Sequence, residues 1–568
     1  MSADTDVLVF DMSSQSEGTP SIFVKKDYLS ILDNQNQNYQ GNQCIIDTSQ
    51  LANSNKYMNY REAYLSIPLL ITATATNLAA ATSPAGTLPA TVPDFAFGLK
   101  NWLGSVVHSI TLDYNGTTII QQTPYQGLWN CFRLLTSLSY NDELTQYSTI
   151  GFWKDNALTF SYSSTLGVSN NNNYIGYSTS NVTGASAYEQ NLANDGLYQR
   201  QLAFAYDPIS NTAFNNLIPS SNAKLLYKTQ VISNQVSTAN STLVWQQAIM
   251  GTVYLKHLHH FFDKICLLKG VLMRFTLNLN QSSVSFTVSN PSGIAATYSN
   301  IAVTSPLGGV SPIMIASGGS NQGGSFLPTG NYTVSLAVGK QSLQQTQYSI
   351  LGYTQSPLSP SITLNVPAYV YAPIFETAYL SSPVKKIVYS DIYQYSVPSI
   401  SAGQTFNQLI SNGIANIKSV LLIPFYVNAG SAVPYSPILS PLDTAGGGST
   451  SPFCLIGNFQ VQISGQNMLY NQYQYTYNEW LQQLYGCNSV NGGQTDGLSS
   501  GLLSQVDFET LYNYYYVDCS RMLAVEELVP KSIQILGQNF STQAIQLFVF
   551  VNYGVEISLE ILTGARVN

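Results

Sequence analysis

A pattern that occurs twice, 349 positions apart, constrains this chain more than any other feature. In the first copy, alternating apolar and polar residues from Ile110 to Tyr114 predict a half-buried strand, and Asn115-Gly116 predicts a tight hairpin turn. Apolar residues at i, i+3, i+4 and i+7 from Leu128 to Leu135 then predict one face of a short helix. The second copy has its matching residues at Phe459, Val461, Ile463, Ser464-Gly465, Tyr477, Trp480, Leu481 and Leu484. The chain is therefore expected to contain two copies of one module.

The similarity extends upstream of this pattern with a different offset. Residues 64–71, YLSIPLLI, resemble residues 420–427, VLLIPFYV, and the two prolines lie 356 positions apart. The connecting loops thus differ by 7 residues, as expected of a duplicated fold whose length varies in its loops. Pro68 stands inside the first of these strands, which predicts an edge strand or a bulge there.

Many short alternating strands, few helices and long polar loops predict an all-β chain with two tandem β-sandwiches. Residues 1–22 are polar and irregular and are expected to form an N-terminal arm. The first sandwich is assigned to residues 23–382, with insertions near 155–240 and 281–360, and the second to residues 383–568.

Composition indicates a surface with little charge. Charged residues are 9% of the 568, against about 25% in an ordinary soluble protein, and 39 tyrosines supply much of the polarity. Protein interfaces are rich in Tyr and poor in Lys and Glu, so this composition favours faces covered by other copies of the chain. A secreted, polar β protein with long loops is the alternative that composition leaves open.

Net charge and cysteine placement restrict the partners. The formal net charge is −8 and no cluster of cations is evident, so we expect no direct, high-affinity nucleic-acid site. No apolar run reaches about 18 residues and no secretory signal is evident, so we expect no membrane span. The six cysteines are scattered, which predicts reduced thiols and synthesis in a reducing compartment.

One histidine cluster is the only candidate for metal chemistry. His257, His259 and His260 lie together, with Asp263 and Cys266 at helical spacing from His259, in the segment HHFFDKICLLK that predicts a short helix. A complete ligand set is not evident, so a packed, hydrogen-bonded element is the favoured interpretation over a metal site.

Motifs for catalysis are equally weak. The pattern G-x-S-x-G occurs at 497–501, but a polar, turn-rich run precedes it, whereas a nucleophile elbow must follow a buried strand. Glu526-Glu527 is expected to be a solvated pair, and the glycine-rich pieces at 318–324 and 446–448 to be flexible loops. We therefore expect no enzyme, with no catalytic, cofactor-binding or metal-binding residues.

Several segments resemble the major capsid proteins of polinton-like viruses, which are relatives of virophages. They are FVKKDYLSILDNQNQNYQGNQ, NSNKYMNYREAYLSIPLL, FGLKNWLGSVVHSITLDYNGTTIIQQTPYQGLWN, YSDIYQYSV and FNQLISNGIAN. The resemblance covers the first 140 residues well and the second half moderately, and leaves the two insertions unmatched.

The resemblance implies a double jelly-roll of two eight-stranded sandwiches with no catalytic residues. It also implies that three chains form a pseudo-hexagonal capsomer of an icosahedral shell around double-stranded DNA. The partners would then be neighbouring copies, a vertex (penton) protein and minor capsid proteins, and the location would be the virion. A viral fibre or carbohydrate-binding adhesin, and a β-sandwich glycoside hydrolase or lyase, are the alternatives.

Overall fold

The fold is described from a computed structural model. It describes residues 21–35, 39, 41–52, 54–76, 97–100, 102–155, 200, 243–289, 297–305, 310–315, 330–339, 361–427, 438–439, 441, 450, 454–470, 475–485, 499–520, 528–560 and 566–567. Residues 1–20 of the predicted arm lie outside the described residues. Most of the 155–240 insertion and parts of the 281–360 insertion also lie outside them.

The first half of the chain contains fourteen described strands. They are β1 (Phe23–Leu32), β2 (Gln43–Asp47), β3 (Tyr57–Met58), β4 (Tyr64–Thr76), β5 (Phe97–Leu99), β6 (Val107–Tyr114), β7 (Thr117–Ile120), β8 (Leu243–Tyr254), β9 (Met273–Leu279), β10 (Ser282–Ser289), β11 (Thr297–Thr304), β12 (Ile313–Ile315), β13 (Gly330–Val338) and β14 (Thr363–Tyr371). The second half contains β15 (Val384–Ile400), β16 (Thr405–Ile414), β17 (Ile417–Tyr426), β18 (Ile456–Ile463), β19 (Gln466–Asn467), β20 (Tyr515–Asp518), β21 (Lys531–Asn539), β22 (Ile545–Glu560) and β23 (Arg566–Val567).

Helices in the described residues are short. They are α1 (Ser49–Ala52), α2 (Gln126–Ser137), α3 (Tyr140–Ile150), α4 (Leu255–Leu258), α5 (Phe261–Lys264), α6 (Pro373–Leu380), α7 (Tyr477–Tyr485) and α8 (Gln505–Thr510), with a 3₁₀ turn at Leu103–Val106. None of these described helices is long and apolar enough to span a bilayer.

The two halves share one strand order. In the first half one sheet runs β1-β14-β4-β8 and the other runs β2-β9-β6-β7. In the second half the sheets run β15-β22-β17-β20 and β16-β21-β18-β19. When the eight core strands of each half are counted along the chain, both halves give the orders 1-8-3-6 and 2-7-4-5. Two facing antiparallel sheets with these orders form a jelly-roll, so the chain is a double jelly-roll, as predicted.

The repeated pattern occupies equivalent places in the two jelly-rolls. Asn115 and Gly116 turn between the fourth and fifth core strands with φ of 46° and 80°, and Ser464 and Gly465 do the same with 51° and 82°. Positive φ at both central residues gives the turn whose twist suits a β-hairpin, and glycine adopts it without steric cost. Each hairpin leads to a helix, α2 or α7, that precedes the sixth core strand. The predicted duplication is therefore confirmed.

The insertion before the eighth core strand adds strands to the first sandwich. β13 pairs with β4 from Leu69 to Thr76, β10 pairs with β13, and β11 pairs with β10. Together with β3, which pairs with β14, these strands widen one sheet to eight. β5 and β12 form a separate two-stranded sheet. Three described strands of the 281–360 insertion, β10, β11 and β13, are thus built into the first sheet, whereas β12 is not.

The expected edge or bulge at Pro68 is wrong. β4 lies inside its sheet, with β8 along one side and both β14 and β13 along the other. The β14 pairing includes Ser66 and the β13 pairing begins at Leu69, so Pro68 occupies the gap between these two neighbours. A missing N–H there breaks no ladder hydrogen bond, which is why a proline is tolerated in a central strand.

The short helix predicted within HHFFDKICLLK is present as the single turn α5. The structure has two single-turn helices, α4 and α5, separated by extended backbone at His259. A second extended residue, Ile265, ends α5. The break lets His259 and His260 both contact the second jelly-roll.

Replacing Trp480 tests whether α7 is a packed core element. Its side chain is fully buried and lies 4.9 Å, centroid to centroid, from the Phe508 ring of α8. Trp480→Ala should destabilise the fold by about 3–5 kcal/mol through lost burial and a residual cavity, measured as a lower unfolding temperature. Tyr470→Ala, which changes a fully exposed ring just before α7, is the control and should leave that temperature almost unchanged. Equal, small effects would contradict the packing.

Candidate functional site at the junction of the two jelly-rolls

Aromatic rings of α2 join the two jelly-rolls. Phe132 stacks on Tyr516 with ring centroids 5.6 Å apart, and it meets Tyr514 edge to face at 5.1 Å. Trp129, one turn earlier, lies 6.3 Å from Phe550 of β22. Phe132 belongs to the apolar stripe predicted from the repeat, whereas Trp129 is not part of that stripe, so the junction uses more of α2 than the repeat predicts.

A buried ion pair connects Arg200, within the long insertion, to Asp155 at this junction. Arg200 Nη2 lies 2.8 Å from Asp155 Oδ1, and both side chains are at most 3% exposed. The guanidinium also donates to the carbonyl oxygens of Leu99 and Trp153. Tyr512, from the second jelly-roll, donates its hydroxyl to the Asp155 carbonyl oxygen at 2.9 Å. Each charge is thus paired and hydrogen-bonded, the condition under which burial is tolerated.

A second ion pair crosses the junction at α8. Lys154 Nζ lies 2.6 Å from Asp507 Oδ2, which also accepts from the Ser504 side chain. Ser504 and Asp507 form a capping box at the start of α8, so one carboxylate both caps the helix and binds the first jelly-roll. The sequence reasoning missed both ion pairs, because partners separated by 353 positions, as here, or by 45, as in the Arg200–Asp155 pair, leave no periodic signal.

The histidine cluster forms contacts between the jelly-rolls. His259 Nε2 lies 3.3 Å from Asp391 Oδ1 of β15, while its Nδ1 accepts from the Phe261 N–H. His260 Nδ1 accepts from the backbone N–H of Ser390 at 2.9 Å. His257 packs edge-on against the rings of Trp102 and Tyr254. The arrangement is that of a packed, hydrogen-bonded element, the favoured interpretation of this segment.

Burial and nearby cations keep two of these imidazoles neutral. Burial lowers the pKa of His257 to about 4, with a smaller contribution from Lys256 and Arg133. Burial likewise lowers the pKa of His260 to about 4, again with Arg133 contributing. In the described part of the chain, no three His, Cys, Asp or Glu side chains come together as a metal site.

The described part of the G-x-S-x-G match forms a turn. Residues 497 and 498 lie outside the described residues. Ser499 Oγ accepts from the Gly501 N–H, and Ser500 Oγ donates to the Leu503 carbonyl oxygen. Gly501 has φ of 69°, and a Cβ there would lie 2.4 Å from the Leu135 carbonyl oxygen. The glycine therefore permits close backbone approach to α2, where Leu502 N–H donates to that same oxygen.

Two long edge strands carry exposed apolar side chains. β1 and β15, the first core strand of each jelly-roll, each have one neighbour among the described strands. Val24 and Tyr28 of β1 are both 69% exposed, and Val388 of β15 is 58% exposed. A long exposed edge is a template for pairing with another chain unless it is covered. Glu526-Glu527 and both glycine-rich pieces lie outside the described residues.

Comparisons with known proteins rest on structure alone. No protein-family model and no curated protein matches the chain. A chain of the Sputnik virophage structure is similar at 13% identity and a TM-score of 0.45, over 97% of this chain and 89% of that one. The mavirus major capsid protein is similar at 8% identity and 0.44, over 98% and 92%. The Faustovirus major capsid protein is similar at 10% identity and 0.42, over 95% and 91%.

Removing one member of the buried pair tests its contribution. Arg200→Met leaves the Asp155 carboxylate buried without its counter-ion, which should cost about 3–5 kcal/mol of stability, measured by thermal unfolding. Adding Asp155→Leu to that variant should recover much of the loss, because no uncompensated charge remains. The control Lys386→Met breaks an exposed pair with Glu556 and should cost less than about 1 kcal/mol. A double variant no more stable than the single one would count against this account.

The low pKa values of His257 and His260 predict a stability loss in mild acid. Both lie below the unperturbed value of 6.5, so the unfolded chain binds more protons as the pH falls past that value. The unfolding temperature should therefore drop between pH 6.5 and about 5, a range in which ordinary carboxylates stay ionised. In a His257→Gln, His260→Gln variant the drop should shrink; an undiminished drop would show that other groups cause it.

Proposed function

We propose that this chain is the structural major capsid protein of an icosahedral DNA virus, with no enzymatic role. The observation that carries the proposal is the pair of jelly-rolls with one strand order, fixed to each other by a buried junction within one chain. A structural role follows from shape and surface, so it needs no reactive side chains.

The duplication suits a hexagonal lattice. Three chains around a threefold axis present six similar modules, which approximate sixfold symmetry and can tile a shell. For this the two modules of one chain must hold a constant relative orientation. The ion pairs Arg200–Asp155 and Lys154–Asp507, together with the α2 rings, support that requirement.

Surface composition supports self-association. Only 9% of the residues are charged, and interfaces between copies are depleted of charge and enriched in tyrosine. The exposed apolar residues of β1 and β15 are the surfaces that we assign to contacts between chains. Two edges in equivalent positions of the two modules would meet neighbours in similar ways.

The finer parts of the proposal concern partners. We assign residues 23–382 and 383–568 to the two modules, and residues 1–22 to an arm that ties neighbouring capsomers. A vertex protein would close the fivefold positions, where a pseudo-sixfold trimer does not fit, and minor capsid proteins would join capsomers. The location would be the capsid shell of the virion.

The mass of the purified protein in solution tests the proposal. Light scattering on a size-exclusion column should give three chains of 61.9 kDa, about 186 kDa, or a shell-sized particle. In a Val24→Asp, Tyr28→Asp variant the measured mass should fall towards that of a single chain, because burying a charged carboxylate in an apolar contact is unfavourable.

The control for this variant is Lys25→Gln, Lys26→Gln, which changes the charge of the same strand by the same amount and keeps the apolar residues. It should remain trimeric. A folded monomer at every concentration, combined with saturable glycan binding, would replace the capsid proposal by a carbohydrate-binding adhesin.

A further inference from the structure

A cavity of about 230 Å³ lies at the junction, lined by both jelly-rolls. Its volume is far above the roughly 10–15 Å³ that a single water needs. The first jelly-roll contributes Trp129, Asn130, Arg133 and His260, and the second contributes Tyr516 and Asn552. The wall therefore combines aromatic faces with polar groups, the usual composition of a small-molecule site.

Three polar atoms of this wall are buried without a hydrogen-bond partner. They are Arg133 Nη1, Asn130 Oδ1 and Asn552 Oδ1. Buried polar atoms in folded proteins are almost always paired, and each unpaired one costs roughly 1–3 kcal/mol. Arg133 Nη1 is a donor and the two amide oxygens are acceptors, so an occupant that satisfies all three must offer an acceptor to Arg133 and donors to Asn130 and Asn552.

The charge of Arg133 points to an anion. Its Nη2 lies 3.5 Å from the Lys256 carbonyl oxygen, and among the described residues no carboxylate forms an ion pair with it. Asp263 is the acidic group whose charge acts on it, but that carboxylate already pairs with Arg61 and Lys264. The buried Nη1 of this guanidinium has no partner among the described residues, so an oxyanion in the cavity would supply both an acceptor and the missing charge.

His260 adds a neutral donor to the same wall. Because its Nδ1 accepts from the Ser390 N–H, the proton of the neutral ring is on Nε2, which can donate. Asp391 is a buried carboxylate near His259, but it is not among the residues that line the cavity, and its Oδ1 accepts from the Ile392 N–H. The donors at the cavity are thus available to an acceptor that enters it.

We propose that this cavity binds a small organic oxyanion, whose carboxylate or phosphate head pairs with Arg133 and whose apolar body lies against Trp129 and Tyr516. The His260 Nε2–H donates to the same head group, while the Oδ1 atoms of Asn130 and Asn552 accept from donors elsewhere on the ligand, such as hydroxyl groups. Since the cavity wall comes from both jelly-rolls, the ligand would stabilise the junction. The inference does not depend on shell assembly, so either can fail without the other.

Calorimetric titration of the intact protein with four probes tests this site. Phenyl phosphate and benzoate carry the two candidate head groups, benzamide is a neutral isostere of benzoate, and inorganic phosphate lacks the apolar body. We expect saturable binding of at least one aromatic anion at one per chain, no binding of benzamide, and weaker binding of inorganic phosphate. Whichever aromatic anion binds more tightly identifies the head group. Inorganic phosphate binding as tightly as phenyl phosphate would overturn the assigned apolar contacts.

Variants connect the binding to Arg133. Arg133→Gln should lower the affinity for the aromatic anion about tenfold or more, as expected for a lost charge-assisted hydrogen bond. The exposed control Lys386→Gln should bind the same anion with unchanged affinity. Asn130→Asp would provide an internal counter-ion for Arg133. It should therefore raise the unfolding temperature and abolish binding of the aromatic anion. This second variant tests the site even if Arg133→Gln fails to fold. Absence of saturable binding, or unchanged affinity in Asn130→Asp, would overturn the proposal.

Discussion

The buried ion pair between Arg200 and Asp155 is the interaction on which the arrangement of the molecule most depends. Aromatic contacts tolerate small displacements, but a buried charge is stable only when all of its partners are in place at once. Here those partners come from the insertion, from the segment after α3 and, through Tyr512, from the second jelly-roll. The pair therefore couples three distant parts of the chain to one relative orientation of the two jelly-rolls.

A fixed orientation matters because the two modules are similar and not identical. Both have the same strand order, yet the first carries four additional strands, β3, β10, β11 and β13, on one sheet. Equivalent edges, β1 and β15, remain exposed on both, with apolar side chains beside two lysines and one aspartate on each strand. A chain of this kind presents two related surfaces at a constant spacing, which is what the proposed lattice requires.

The junction also contains buried polar atoms that have no hydrogen-bond partner among the described residues. Arg133 is a cation near imidazoles whose pKa values are lowered to about 4, so it contributes positive charge that the described side chains do not neutralise. Such a site is destabilising when empty and stabilising when an anion is bound. The proposed ligand would thus act on the same contact that the Arg200–Asp155 pair holds.

The sequence by itself determined the elements that depend on local periodicity. Local sequence predicts the Asn115-Gly116 turn, the apolar face of α2 and the second copies of both. It does so because side-chain spacing and backbone conformation are properties of neighbouring residues. Tertiary structure alone decided the rest. Pro68 lies in a central strand because two other strands leave a gap beside it, and Arg200 and Asp155 form a buried ion pair although they lie 45 positions apart. Contacts between residues far apart in the chain follow from packing, which no local pattern records.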